Sequence, residues 1–241
     1  AALCALAAVQ PAAAASFVVP PDGRVVGTAA RQAVVKPGET LLDIARRFDL
    51  GIDELAAANP GVDPWVPAPG TRVRVPSLFI LPDAAHEGIV VNLPEMRLYY
   101  YPPAAQGPPR RVITFPLSIG AEGKTLPLGY TTIVEKLDHP TWVVPASILA
   151  EHRADGRSVS PTVPPGPDNP LGDYALRLGW RNYLIHGTKQ PYSIVMRVSH
   201  GCLRLYPEDI SRLYRLVAWG TAVRVVDQPF KADRYHGKVY L

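Results

Sequence analysis

Cysteine is nearly absent: Cys4 and Cys202 are the only two among 241 residues. No disulfide framework can rest on that pair if a leader carries Cys4 away, and Cys202 is then a lone thiol. Long apolar runs are missing as well. The opening stretch AALCALAAVQPAAAA is apolar, but Gln10 and Pro11 interrupt it and it is too short to span a bilayer. Its small-residue end has the character of a secretory signal peptide. Residues 1–15 are therefore expected to be a leader remnant, and the mature chain to carry no transmembrane segment. No Lys/Arg-rich run occurs, which removes the footprint of a nucleic-acid binder. A zinc site would need a fourth ligand beside His186, His200 and Cys202, and none stands at a short spacing. The 27 prolines exclude an all-helical fold, because proline suits loops and edge strands.

What is present is a globular composition, with 47% hydrophobic and 19% charged residues and room for one medium domain plus a small one. The net charge of +4 suits a polyanionic partner, such as a wall polymer or an anionic membrane face. A first unit is expected at 31–77. Gln32 to Val35 reads as a strand and Lys36-Pro37-Gly38-Glu39 as a turn. Thr40 followed by Asp43 predicts a capping box. Leu41, Ile44, Ala45 and Phe48 fall at helical spacing. Ile52 to Ala58 predicts a second helix, stopped by Asn59-Pro60-Gly61, and Thr71 to Pro76 closes the unit as a strand.

The second unit, 86–227, reads as mostly β. Strands are expected at Gly88–Leu93, Arg97–Tyr101, Arg111–Phe115, Thr131–Lys136, Tyr174–Leu178, Tyr183–His186 and Thr221–Val226. One helix is expected, from Pro207 to Ala218, with Ile210, Leu213, Tyr214 and Val217 as its buried stripe. Pro161 to Gly172 is too proline-rich for a regular element and reads as a wall or lid. Residues 228–241 are expected to pack as an extension on this unit.

The chemistry concentrates in Tyr183-Leu184-Ile185-His186-Gly187-Thr188 and Ser199-His200-Gly201-Cys202-Leu203-Arg204-Leu205. A thiol becomes a nucleophile when a base takes its proton, and an imidazole can then hold the thiolate as an ion pair. His186 and His200 are both candidates. His186 is favoured because it arrives from a separate strand, whereas a turn would separate His200 from Cys202. Gly201 permits a tight approach. The amides of His200, Gly201 and Cys202 then form a nest for an oxyanion, where one donor is worth about 3 kcal/mol to a transition state.

These segments resemble known families. Val35-Lys36-Pro37-Gly38-Glu39-Thr40-Leu41, Ile44-Ala45, Leu55, Asn59-Pro60 and Gly70 to Pro76 resemble the LysM module, which implies a βααβ fold and binding to N-acetylglucosamine glycans. His186-Gly187-Thr188 with Ser199-His200-Gly201-Cys202 resembles the L,D-transpeptidase catalytic domain, also called YkuD. Gly88 to Leu93, Glu95 to Pro102, Pro127-Leu128-Gly129 and Gly166 to Gly172 extend that resemblance. It implies a β-sandwich or barrel, a Cys202 nucleophile, a His186 proton donor and acceptor, and a Gly187 carbonyl that orients His186. The same resemblance places Ser199, Arg204 and Trp142 at the substrate, with Arg204 on a carboxylate. It implies no metal or other cofactor, a periplasmic location, and peptidoglycan stem peptides and glycan as partners. The acceptor amine belongs to a second diaminopimelate, an outer-membrane lipoprotein lysine or a D-amino acid. Carbapenems acylate the cysteine of such enzymes. Two other readings use the same residues: a non-catalytic wall-binding protein, and a papain-like cysteine hydrolase, whose usual flanking sequence is missing.

Overall fold

The computed structural model describes residues 15–28, 31–103, 109–124, 126–158 and 160–241. The expected leader at 1–15 lies outside them except for Ala15. Among the described residues, no helix is long and apolar enough to cross a membrane.

The small unit follows from its sequence. Gln32–Val34 pairs antiparallel with Arg72–Arg74, enclosing helices α1 (Leu41–Arg47) and α2 (Ile52–Ala57). Thr40 caps α1: its hydroxyl accepts from the Asp43 amide at 3.1 Å, while Asp43 accepts from the Thr40 amide at 2.9 Å. Asn59 does more than stop α2. It donates to the carbonyls of Leu55 and Arg74 and accepts from the Arg74 amide, tying the helix to the closing strand.

The large unit is a nine-stranded curled sheet. Its order runs Ser16–Val18, Arg111–Pro116, Arg97–Tyr101, Gly88–Asn92, Ala222–Val226, Gly129–Asp138, Tyr174–Leu178, Leu184–His186, Leu203–Arg204. The last strand turns back on the second: Ser118 exchanges backbone hydrogen bonds with Arg204 at 2.9 and 3.0 Å. The barrel-like enclosure is filled by Ile89, Leu98, Phe115, Ile133, Leu176, Ile185 and Leu203. A helix at Pro207–Leu216 (α4 below) adds Ile210 and Leu213, with Val217 just beyond it, as its spacing required.

The expectation of one helix in this unit needs correction. A further helix, α3 (Ala146–Ala154), precedes α4. Only Ile148 of α3 is buried, so no apolar stripe announced it. Thr162–Val163, inside the proline-rich segment, pairs with Trp142–Val143. Residues 228–241 bond the large unit and the segments that flank the small one: Gln228 bonds Asp83 and Asn92, Lys231 bonds Glu95 and Ile80, and Asp233 receives the Arg24 amide.

The two units share one core. Leu41, Ile44, Leu55 and Val73 of the small unit cluster with Val90, Tyr99, Tyr101 and Val112 of the large one. Arg97 is fully buried between them, bonding the Glu54 carboxylate at 2.8 and 2.9 Å and the Asp49 carbonyl at 3.2 Å. Arg46 forms a two-point pair with Glu208 of α4 at 2.6 and 2.7 Å. Two carboxyl groups are trapped at the same junction. Burial raises Asp49 to about 6, against the pull of Arg97, and raises Asp209 well above the ordinary range, with Asp49 adding to it.

A raised carboxyl pKa means the folded chain holds a proton that the unfolded chain has released. The stability from Asp49 is therefore complete below about pH 4 and is lost as pH climbs through 6. Replacing Asp49 by Asn should flatten the fall in denaturant midpoint between pH 4 and 6; an unchanged slope would place the titration elsewhere.

Candidate active site

Two short strands assemble the site. Leu184–His186 and Leu203–Arg204 run parallel, pairing Ile185 with Leu203 and His186 with Arg204. Alternate residues share a face, so His186 and Arg204 point one way while Ile185 and Leu203 enter the core. Cys202 precedes the second strand and lies diagonal to His186, roughly 8 Å away between Cα atoms by strand spacing. Cys202, His186 and Arg204 all line one cavity of about 500 Å³.

His186 is buried and its Nδ1 lies 2.7 Å from the Gly187 carbonyl. A carbonyl only accepts, so Nδ1 carries the proton and Nε2 is the free base. A side chain at 187 would meet Ile210 at 3.1 Å and the Leu171 carbonyl at 3.3 Å, so glycine lets the ring seat there. Burial, followed by the charge of Arg204, lowers His186 to about 4. Burial raises the Cys202 thiol, against the Leu184 amide and Arg204, which favour the thiolate. The thiol points to the Asn182 carbonyl at 3.7 Å, and the two site residues are not bonded to each other.

Burial thus biases the pair at rest toward a neutral thiol and a neutral imidazole rather than an ion pair. Desolvation is the reason: the cavity wall shields both groups, and water that would stabilise two charges is removed.

The turn before Cys202 is held by Ser199. Its Oγ donates to the Cys202 carbonyl at 2.6 Å and accepts from the Gly201 amide at 3.1 Å. Ser199 braces the turn in this way and also lines the cavity. The same bond withdraws the Gly201 amide from the expected three-amide nest, leaving it the amides of His200 and Cys202. Gly201 has φ +116°, and a Cβ there would stand 3.0 Å from the Tyr183 ring and 3.2 Å from the Lys124 carbonyl. His200 does not face His186. Its Nε2 bonds Glu151 of α3 at 2.7 Å.

Arg204 has no acidic partner within salt-bridge distance among the described residues, and its Nε is shielded from solvent without a partner. Trp142 is half-buried in the wall, near Ile148, Pro170 and Leu171. The lining includes Arg177, Arg181 and Arg204 and three histidines, but no Asp or Glu. No residue of 31–77 lines it. Two contributors escaped the sequence reading: Asn182, in the left-handed region at φ +70° in a hairpin turn, and Glu151. Gly179-Trp180-Arg181-Asn182 between two strand runs was the available turn signal for the first.

The chain is similar to known proteins. The family described as the L,D-transpeptidase catalytic domain matches residues 86–225, and that described as the LysM domain matches residues 33–76. A relative from Escherichia coli, "Probable L,D-transpeptidase YbiS", is 46% identical over 226 residues, covering 92% of this chain and 72% of that protein. "Probable L,D-transpeptidase ErfK/SrfK" of Salmonella typhimurium is 42% identical over 221 residues, covering 90% and 70%. Among solved structures, an L,D-transpeptidase from Mycobacterium smegmatis has a TM-score of 0.43 at 20% identity, covering 63% of each chain.

A neutral resting thiol has a direct consequence. Iodoacetamide should label Cys202 more slowly than free cysteine at pH 7, with a rate that climbs only in alkaline solution. Peptide mass mapping reads this, and labelling faster than free cysteine at pH 7 would restore the ion pair.

Proposed function

This chain belongs to the L,D-transpeptidase catalytic-domain family and carries a LysM domain ahead of the catalytic one, and from that premise we propose that it is a peptidoglycan L,D-transpeptidase working by acyl transfer through Cys202. The observation that carries the reading is the shared cavity: a thiol, an imidazole with a free Nε2 and an unpaired guanidinium on one acid-free surface.

The chemistry takes two steps. The Cys202 sulfur swings from Asn182 and attacks the carbonyl at the L centre of the third stem residue, diaminopimelate. His186 Nε2 takes the thiol proton as the S–C bond forms. Because the imidazole is neutral to about pH 4, it is ready as a base throughout the neutral range. The tetrahedral oxyanion sits on the amides of His200 and Cys202. Collapse breaks the C–N bond, and terminal D-Ala leaves with the proton from His186. An acceptor amine attacks the thioester, gives its proton to His186, and releases Cys202 as a thiol.

Arg204 binds a carboxylate of the stem peptide. An unpartnered buried Nε on the wall that also carries the thiol calls for an anion from outside. The glycan belongs to the LysM domain, and a periplasmic location fits both substrates. The acceptor is a second diaminopimelate, a lipoprotein lysine or a D-amino acid, and the site chemistry accepts any unhindered amine.

Incubation with a diaminopimelate tetrapeptide or a carbapenem should add one acyl mass to Cys202, read by intact mass spectrometry. No adduct would leave the wall-binding reading instead, and adducts that resolve only to hydrolysed product with amine present would favour a peptidase. The acylation rate should rise with pH along a limb near 4, and His186→Gln should lower it by about 10² to 10⁴. Arg204→Gln should raise the half-saturating tetrapeptide concentration about tenfold or more, since a charge-assisted hydrogen bond contributes about 1.5–3 kcal/mol. An amidated tetrapeptide should show a smaller penalty; equal penalties would remove the carboxylate role.

A further inference from the structure

Glu151 lies outside the cavity lining, yet it joins three pieces of chain that build the site. Its Oε1 accepts from Lys124 Nζ at 2.6 Å, and its Oε2 is bonded to His200 Nε2 at 2.7 Å. His200 stands in the turn between Ser199 and Gly201. Lys124 closes a neighbouring turn on the Ala121 carbonyl at 2.9 Å, and the Ala121 amide donates to the Ser199 carbonyl at 2.8 Å. One carboxylate therefore reaches the catalytic turn by two routes.

The element that carries Glu151 is loosely attached otherwise. Helix α3 supplies Ser147, Ile148 and His152 to the cavity wall, but buries only Ile148. The base of this wall is fixed by Asn169, whose Nδ2 donates to the carbonyls of Pro140, Val163 and Pro164. At its α3 end, among the described residues, the Glu151 bonds are the charged contacts toward the catalytic turn. His152, the next residue, lines the cavity with Nδ1 shielded from solvent and unpartnered.

We propose that Glu151 is a positioning residue for acyl transfer, holding His200 and Lys124 together so that the α3 wall is registered against the turn that carries Cys202. The inference rests on the acyl-transfer reading of Cys202. With the carboxylate in place, the His200 and Cys202 amides keep a fixed relation to the wall that holds the donor peptide, and His152 faces that donor. Without it, α3 moves away from the turn, so donor binding and the chemical step weaken together. Lys124 and His200 hold the Glu151 carboxyl down at about 2, so it stays ionised wherever the enzyme works. Global stability is nearly independent of it, because all three side chains are at least two-fifths exposed.

Single-turnover acylation of Cys202 in the full chain by a diaminopimelate tetrapeptide, followed by intact mass, separates the limiting rate from half-saturation. Glu151→Ala should lower the limiting rate about tenfold and raise half-saturation severalfold, with the melting temperature within about 2 °C of the parent. Glu151→Gln, which keeps shape and neutral hydrogen bonds, should recover part of both, and Lys124→Met should fall between. A Glu151→Ala curve that overlays the parent, or a loss matched by the unfolded fraction, overturns the latch. A parent that forms no adduct overturns the acyl-transfer reading and the latch with it.

Discussion

The parallel ladder between Leu184–His186 and Leu203–Arg204 is the constraint on which the site depends. It is two residue pairs long, and it brings together segments whose side chains alternate between core and cavity. Ile185 and Leu203 anchor it inside, with no exposure, while His186 and Arg204 share the outer face. Ser118 then pairs with Arg204 and closes the curl, so the edge that carries the thiol is not a free edge. Rigid strands hold the imidazole and guanidinium, and a glycine turn braced by Ser199 holds the thiol.

Electrostatics follows from what the enclosure leaves out. No carboxylate lines the cavity; Arg177 pairs with Glu135 outside the lining, whereas Arg204 has no acidic partner among the described residues. That arrangement disfavours imidazolium and favours an incoming anion. It also separates the site from the other buried titratable groups. Asp49 and Asp209 sit at the junction of the two units, where burial favours the protonated carboxyl against the pull of Arg97. The same residue type is excluded at one place and concentrated at another, and each placement serves a different charge balance.

The LysM domain is not a tethered bead. Its α1 and α2 share a core with the Tyr99 and Val112 side of the sheet, and Arg97 crosses between them to Glu54. It packs away from the cavity lining, so the LysM domain and the thiol occupy different surfaces of one body.

Much of this was legible in the chain itself. The Thr40–Asp43 cap, the αα pair, the apolar stripe of α4 and most strands rest on local rules of spacing and turn chemistry, and local rules are written in consecutive residues. That His186 and Cys202 belong to one cavity was readable because a histidine-ended strand and a Gly-Cys turn are short motifs. What the sequence could not supply is everything set by dielectric and by long-range approach. α3 has one buried side chain and so left no periodic trace. Glu151 meets His200 and Lys124 from distant positions, and Asn182 reaches the sulfur only through a hairpin. The charge bias of the pair was decided in three dimensions as well: burial pushes the His186 imidazole and the Cys202 thiol toward their neutral forms, with Arg204 adding to the first and opposing the second, because the cost of a charge depends on the water that folding removes.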